Sequence, residues 1–399
     1  MKAVSLNFDP HAVHYAIGLM SGTSSDGVSS ALVRFSPQRG ARIRLLAYET
    51  YPYQRSFRRR LLEAVTSDHL SAGELSSLHF ELGRALGEAA NKLAASARFP
   101  MARVSFIASH GHTFFHLPPR RTRRLETSST LQLGESAVIA ASTGVAVVSD
   151  FRPMDLALGG EAAPLAPLAH LRLFADPHCG RVIQNIGGVA NATYLPPGAV
   201  PGDSRVIAFD TGPGNMAIDA LAGKISPRRL TMDRNGALAA SGRVNQALLE
   251  ELMRLGYFRR KPPKSTGREE FGAAFVGRLE SRARAMGVKP RDLIATITAL
   301  TARSIADAIR HFILPVGPVA QVVVTGGGAN NPTLLEMLKS ELEEVAVIRA
   351  EDLNVSGEAL EAIAFAILGY EFLCGRPGNM PSVTGARAPA LLGKLTLPP

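Results

Sequence analysis

Residues 14–35, HYAIGLMSGTSSDGVSSALVRF, decide the fold of this chain, because their plan recurs at residues 181–195, RVIQNIGGVANATYL. In each, an apolar strand enters a polar turn containing glycine and a second strand follows. Glycine there supplies positive φ and lets a ligand approach bare backbone, which applies to Gly187 and Gly188 as well as to the first turn. Strands that end in polar or glycine loops come later in each half. In the first they are VSFIASHGHT (104–113) and VAVVSDFRPMD (145–155). In the second they are VIAFDTGPGN (206–215) and VVVTGGGANNP (322–332). A hairpin followed by strand–loop–helix units, occurring twice, predicts an α/β protein of two similarly built domains. The boundary is expected within 157–180, giving domains at 1–165 and 166–399.

The 399 residues are 46% hydrophobic and 20% charged, ordinary for globular domains with their own cores. No run of 18 apolar residues is present, and Asp9 and Pro10 interrupt the start, so neither a membrane span nor a signal sequence is expected. Cys179 and Cys374 stand apart, without the spacing of a disulfide framework or zinc knuckle. A soluble cytoplasmic protein follows as the expectation. The net charge of +10 resides partly in short runs: Arg58 to Arg60, Arg120-Arg121 with Arg123-Arg124, Arg228-Arg229, and Arg259 to Lys261. Without Trp, and with the runs scattered, the charge suits anionic small molecules better than nucleic acid.

Helices are legible at 61–97, broken near Ser71-Ala72-Gly73, at 293–312, and at 357–373, the last apolar enough to be buried. The first turn gathers glycines, hydroxyls and Asp26, groups that can grip phosphate oxygens and hold Mg²⁺. No G-x-x-x-x-G-K-[ST] exists, which excludes a P-loop. Asp210, at a strand end before glycines and a predicted helix start, suits a general base near bound anions. Gly212-x-Gly214-x-x-Ala217 with Asp233 also fits a dinucleotide fingerprint, although Pro227 and two arginines spoil the strand that should precede Asp233. His110, His112 and His116 offer a zinc-hydrolase alternative, with His170 and Asp150 as further ligands. Gly326, Gly327 and Gly328, followed by Asn330 and Asn331, leave backbone bare at a strand end.

Taken together, ten segments in order resemble the actin-like ATPase and sugar-kinase superfamily, and within it the anhydro-N-acetylmuramic acid kinase family. They are GLMSGTSSDGV (18–28), SHGHT (109–113), TLQLGESAVIA (130–140), DFRPMDLALGG (150–160), NIGGVANATYL (185–195), FDTGPGN (209–215), PPKSTGREEF (262–271), TGGGANNPTL (325–334), EAIAFAIL (361–368) and RPGNMPSVTGA (376–386). The resemblance implies two actin-like (ribonuclease H-like) domains with ATP and sugar in the interdomain cleft. It implies a kinase that phosphorylates 1,6-anhydro-N-acetylmuramic acid and opens its anhydro ring in one reaction, salvaging murein fragments. A related kinase acts on 1,6-anhydroglucose (levoglucosan), which is the nearest alternative.

The resemblance also distributes roles. Gly22, Thr23, Ser24, Ser25, Asp26, Gly27, Val28 and Ser29 would form the ATP phosphate turn, with Asp26 near Mg²⁺. Gly187, Gly188, Gly326, Gly327, Gly328 and Asn330 would complete the nucleotide side. Asp210 would be the base that activates water, with Glu361 close to that water. His110, Arg152, Asp155, Gly212 and Asn215 would serve the sugar, Arg152 as a fork for its lactyl carboxylate. A homodimer is one assembly compatible with this reading. Four residues depart from the family pattern: Ser25 for Leu, Ser29 for Asp, His112 for Gln and Glu161 for Gln. The first two leave Asp26 and both turn glycines in place, whereas the last two bear on sugar preference.

Overall fold

The computed structural model describes residues 8–22, 25–37, 42–67, 69–122, 127–225 and 231–399. Thr23, Ser24, Arg123, Arg124, Arg228 and Arg229 lie outside the described residues. Twelve strands are described: β1 (His14–Ser21), β2 (Gly27–Ser36), β3 (Arg42–Pro52), β4 (Phe106–Leu117), β5 (Ser129–Leu133), β6 (Val147–Ser149), β7 (Arg181–Ile186), β8 (Val189–Leu195), β9 (Ile207–Pro213), β10 (Gln321–Thr325), β11 (Ala346–Arg349) and β12 (Lys394–Thr396). The chain forms two compact units, residues 1–173 with 359–399, and residues 174–358.

In the first unit the strand order is β12-β6-β4-β1-β2-β3, with β5 paired to β4. Strands β1, β2 and β3 form an antiparallel meander, while β4 and β6 run parallel to β1. In the second unit the order is β11-β10-β7-β8-β9, again a meander of three strands followed by two parallel ones. Five strands of the first sheet, in the order β6-β4-β1-β2-β3, therefore repeat the second sheet, and β5 and β12 are additions to the first. One equivalence differs from the sequence expectation. The Asp210 strand, β9, is the third meander strand and corresponds to β3, not to β4. Strand β3 was missed because it is a half-exposed edge strand, and β11 because four residues carry no visible period.

One face of the first sheet is covered by helices Arg55–Thr66 and Ala72–Ser96, whose Leu61, Leu78, Leu82 and Leu86 pack with Ile17, Leu32 and Ile107. The break before the second helix is a capping box: Ser71 accepts from the Glu74 N–H, and the Glu74 carboxylate accepts from the Ser71 N–H. Helix Leu360–Leu373 packs against β1, β2 and β4. Its approach is close enough that a Cβ at Gly18 would fall on the Ala362 carbonyl oxygen.

This last helix departs from a second domain running over 166–399. Residues 360–373 are buried on nearly every side, including Ile363, Phe365, Ile367 and Leu368. Each such side chain gains roughly 1.5–3 kcal/mol on burial, so the segment settles where a sheet face needs cover. Strand β12 then extends the same sheet by pairing with β6. In the second unit, helix Pro290–Ala308 joins two cores, one with Val182, Tyr194 and Val322 and one with Ile218, Leu248 and Phe271.

Candidate active site

In the first unit, β1 ends at Ser21 and β2 begins at Gly27, and the turn expected to hold phosphate joins them. Ser25 has φ 53° and donates its N–H to the Gly22 carbonyl, a tight turn in which a larger Leu would have to be buried. The Ser25 hydroxyl is buried and has no hydrogen-bond partner among the described residues. Asp26 projects outward and pairs with Arg58, whose Nε also donates to the Ser25 carbonyl. Gly27 lies so close to β3 that a Cβ would strike the Tyr51 carbonyl. Val28 is core, and the Ser29 hydroxyl bonds to Thr50 across the strand pair, so neither side chain serves the turn directly.

His112 belongs to a buried chain: Tyr53 donates to the Ser21 hydroxyl, which bonds to His112 Nδ1 at 3.0 Å. It ties β4 to the end of β1 and is held below the ordinary histidine pKa by burial. His110 is buried too. Its Nε2 accepts from Arg152 Nε at 3.0 Å and its Nδ1 bonds to the Gly111 carbonyl at 3.1 Å, which sets the Nδ1–H tautomer. Burial, reinforced by the Arg152 charge, pushes its pKa well below the usual value. Among the described residues no group of three His, Cys, Asp or Glu side chains is disposed to hold a metal ion, so His110 and His112 form no zinc centre. Glu161 pairs with Arg120.

Arg152 and Asp155 were expected on the sugar, and the structure commits both inside the unit. Arg152 Nη1 donates to the Ala162 carbonyl at 2.6 Å. Burial lowers its pKa to about 10, opposed by the charges of Glu361 and Asp155. Asp155 is 0% exposed and accepts from Ala162 N, Asn379 Nδ2 and Thr384 Oγ1 at 2.7–2.8 Å. It fastens the 150–162 loop to the C-terminal segment. Glu361, in the first turn of helix Leu360–Leu373, stays accessible to solvent. The protein around it raises its pKa, and Arg152 opposes the rise. Phe365, one turn on, lies with its ring centroid 4.4 Å from that of His110. A polar cavity of about 70 Å³ is lined by Ser109, His110, Gln132, Ser149 and Asp150 among others, and the buried Ser109 hydroxyl has no hydrogen-bond partner among the described residues.

The second unit gathers three loops. The N–H groups of Gly214, Asn215 and Met216 donate to the carbonyls of Gly187 and Gly188, and Asn215 Nδ2 donates to the Ile186 carbonyl. The start of helix Asn215–Ile225 is thus partly spent on the β7–β8 turn and is not an open anion site. Gly326 has φ 76°, and Cβ atoms at Gly326 or Gly328 would strike Asn185 and Ile186. Gly327 alone of the three meets only the Asn215 amide, at an ordinary 3.5 Å. Asn330 accepts from Arg349 at 3.4 Å, while Asn331 caps helix Pro332–Glu341. Gly212 is buried, and a Cβ there would meet Phe258 and Ser304.

Asp210 is clasped by a segment that sequence spacing did not connect to it. Its N–H donates to the Lys264 carbonyl at 3.1 Å, and its Oδ2 accepts from the Thr266 N–H at 2.8 Å. Its own carbonyl accepts from the Tyr257 hydroxyl at 2.6 Å. Only the motif PPKSTGREEF hinted at this, as a family segment with no stated partner. Asp233 accepts from the N–H groups of Leu238 and Ala239, and β9 is an antiparallel edge strand. Both facts remove the dinucleotide reading, which needs a parallel strand and a ribose-binding acid.

Residues 14–398 match the family model described as anhydro-N-acetylmuramic acid kinase. A protein of that name from Caldanaerobacter subterraneus subsp. tengcongensis is 41% identical over 384 residues, 96% of this chain and 96% of its own. Another, from Bacillus thuringiensis subsp. konkukian, is 40% identical over 388 residues, 96% of this chain and all of its own. Among solved structures, a ROK family glucokinase from Streptomyces griseus in complex with glucose and AMPPNP has a TM-score of 0.37 at 12% identity, covering 88% of this chain and 98% of its own. With a match that runs from β1 to the last residues of the chain, this protein belongs to the anhydro-N-acetylmuramic acid kinase family.

Proposed function

We propose that this protein is a kinase that uses ATP to phosphorylate 1,6-anhydro-N-acetylmuramic acid while water opens the anhydro ring, giving N-acetylmuramic acid 6-phosphate and ADP in cell-wall recycling. The observation that carries the reading is Asp210, in the middle of β9 and three residues before its end, with its carboxylate accepting from the Thr266 amide. The substrate's O6 is locked in an ether to C1, so no free hydroxyl awaits phosphorylation. Water attacks C1 and gives a proton to Asp210. The C1–O6 electron pair passes to O6, which takes the γ-phosphoryl group as the bond to ADP breaks.

Glu361 orients the water; desolvation raises its pKa and the charge of Arg152 opposes that rise. His110, Arg152 and Asp155 serve the sugar through the loop they hold, and the cavity beside His110 receives a polar substituent. The turn of residues 22–29 holds the phosphates, and Gly327 is where the adenosine side meets bare backbone. Asp26 fits Mg²⁺, because a metal carried mainly by phosphates and waters needs one exposed carboxylate and no dedicated cage. When bound, the ion neutralises charge on the phosphates. No helix among the described residues is long and apolar enough to cross a membrane.

The test is ADP release with 1,6-anhydro-N-acetylmuramic acid, 1,6-anhydroglucose and open-ring N-acetylmuramic acid. Activity only on the open-ring sugar would overturn the ring-opening mechanism. Asp210→Asn should lower turnover by about 10³–10⁴-fold, the upper part of the range for a general base. Turnover in ¹⁸O-water should label the C1 hydroxyl, read promptly, and leave the phosphate unlabelled.

A further inference from the structure

Lys264 is 8% exposed, and its Nζ lies 4.8 Å from the ring centroids of Tyr257 and Phe312 and 5.8 Å from that of Phe209. Among the described residues no carboxylate pairs with it at ion-pair distance. A caged ammonium without a hydrogen-bonded counter-ion is a poor device for stability, since desolvation opposes it. The cage has a second property. Phe209 precedes Asp210 on β9, and Tyr257 both walls the cage and donates its hydroxyl to the Asp210 carbonyl. The Lys264 carbonyl and the Thr266 N–H grip Asp210 from the same segment. Tyr257, Phe209 and the Lys264 segment therefore touch both the ammonium and the aspartate's strand.

We propose that Lys264 is a positioning residue for Asp210: its segment pins the aspartate within β9, and its caged ammonium supplies the positive potential that keeps the carboxylate ionised. The inference rests on the reading of Asp210 as the base. Four charged or titratable groups face the lysine: Asp210 on β9, Tyr257 and Arg260 around helix Gly256–Arg259, and Glu270 in helix Arg268–Phe271. Burial, aided by Arg260, lowers the Lys264 pKa to about 8, while Asp210 and Glu270 hold it up. Coupling is reciprocal, so whatever Lys264 does for Asp210, Asp210 does for Lys264.

Two measurements test this on the full chain. With [ε-¹³C]lysine, one resonance should titrate near pH 8 in the natural protein and at lower pH in Asp210→Asn. A resonance with the same midpoint in both, or none below the ordinary lysine range, overturns the proposal. In Lys264→Met the acid limb of kcat/KM should move up by roughly 1 unit, the low end for loss of an opposite charge. Lys264→Arg should leave that limb in place. A Lys264→Met protein with lower Tm and an unmoved limb overturns the proposal, marking the lysine as merely structural. Should Lys264→Met not fold, the lysine titration decides alone. The two readings fail separately: lost coupling sinks the lysine role, whereas an active Asp210→Asn sinks the base.

Discussion

Arg152 donates its Nε–H to Nε2 of His110 across 3.0 Å, and this bond turns two expected sugar ligands into one internal brace. Both imidazole nitrogens of His110 are engaged, and Arg152 also holds the Ala162 carbonyl. Two of its three guanidinium nitrogens are thus engaged within the unit.

Arg152→Ala should therefore lower kcat on 1,6-anhydro-N-acetylmuramic acid and on 1,6-anhydroglucose by similar factors. Stability should fall by roughly 1.5–3 kcal/mol, the range for hydrogen bonds to a charged group. Parallel kinetics on the two sugars check it. A KM effect confined to the muramic substrate would restore the lactyl fork.

Asp155→Ala removes a fully buried acceptor and strands the donors of Ala162, Asn379 and Thr384. The loss should be about 3–5 kcal/mol, as for a broken buried charge network. Denaturant melts will register it. The KM for sugar in the folded fraction should stay close to that of the natural protein.

Asp26→Ala acts at an exposed ion pair, so its Tm should barely move. Turnover should fall and recover partly as Mg²⁺ is raised. Full activity at low Mg²⁺ would remove Asp26 from the metal.

Gly327→Ala separates packing from binding. Its Cβ meets only the Asn215 amide at 3.5 Å, whereas one at Gly326 would strike Asn185 and Ile186. Gly326→Ala should lower Tm. Gly327→Ala should keep Tm and raise the KM for ATP several-fold, and an unchanged KM would take the nucleotide off this glycine.

Acid should destabilise the protein through its buried histidines. Burial lowers the His170 pKa to about 4 and that of His110 well below the model-peptide range. The unfolded chain then binds more protons than the folded one. Stability is complete above about pH 6.5 and falls as pH drops towards 4, by roughly 3 kcal/mol for His170 alone. Urea melts at pH 7.5, 6 and 5 should show that slope, and His170→Gln should flatten it.

The sequence by itself determined the repeated hairpins, because strand alternation and turn glycines are local properties of residues 14–35 and 181–195. It also determined the family, since ten segments keep their order, and the apolar helix expected at 357–373 and found at 360–373, since nearly all its residues are apolar. Tertiary structure alone decided which sheet that helix covers, because an apolar helix fits any unpartnered sheet face and only packing selects one. It alone decided that Asp155 and Arg152 are spent internally, because polar side chains near a site look alike until burial forces them to find partners. And it alone joined Asp210 to Thr266, 56 residues on, since a side-chain carboxylate can accept from a backbone N–H brought to it from any distance along the chain.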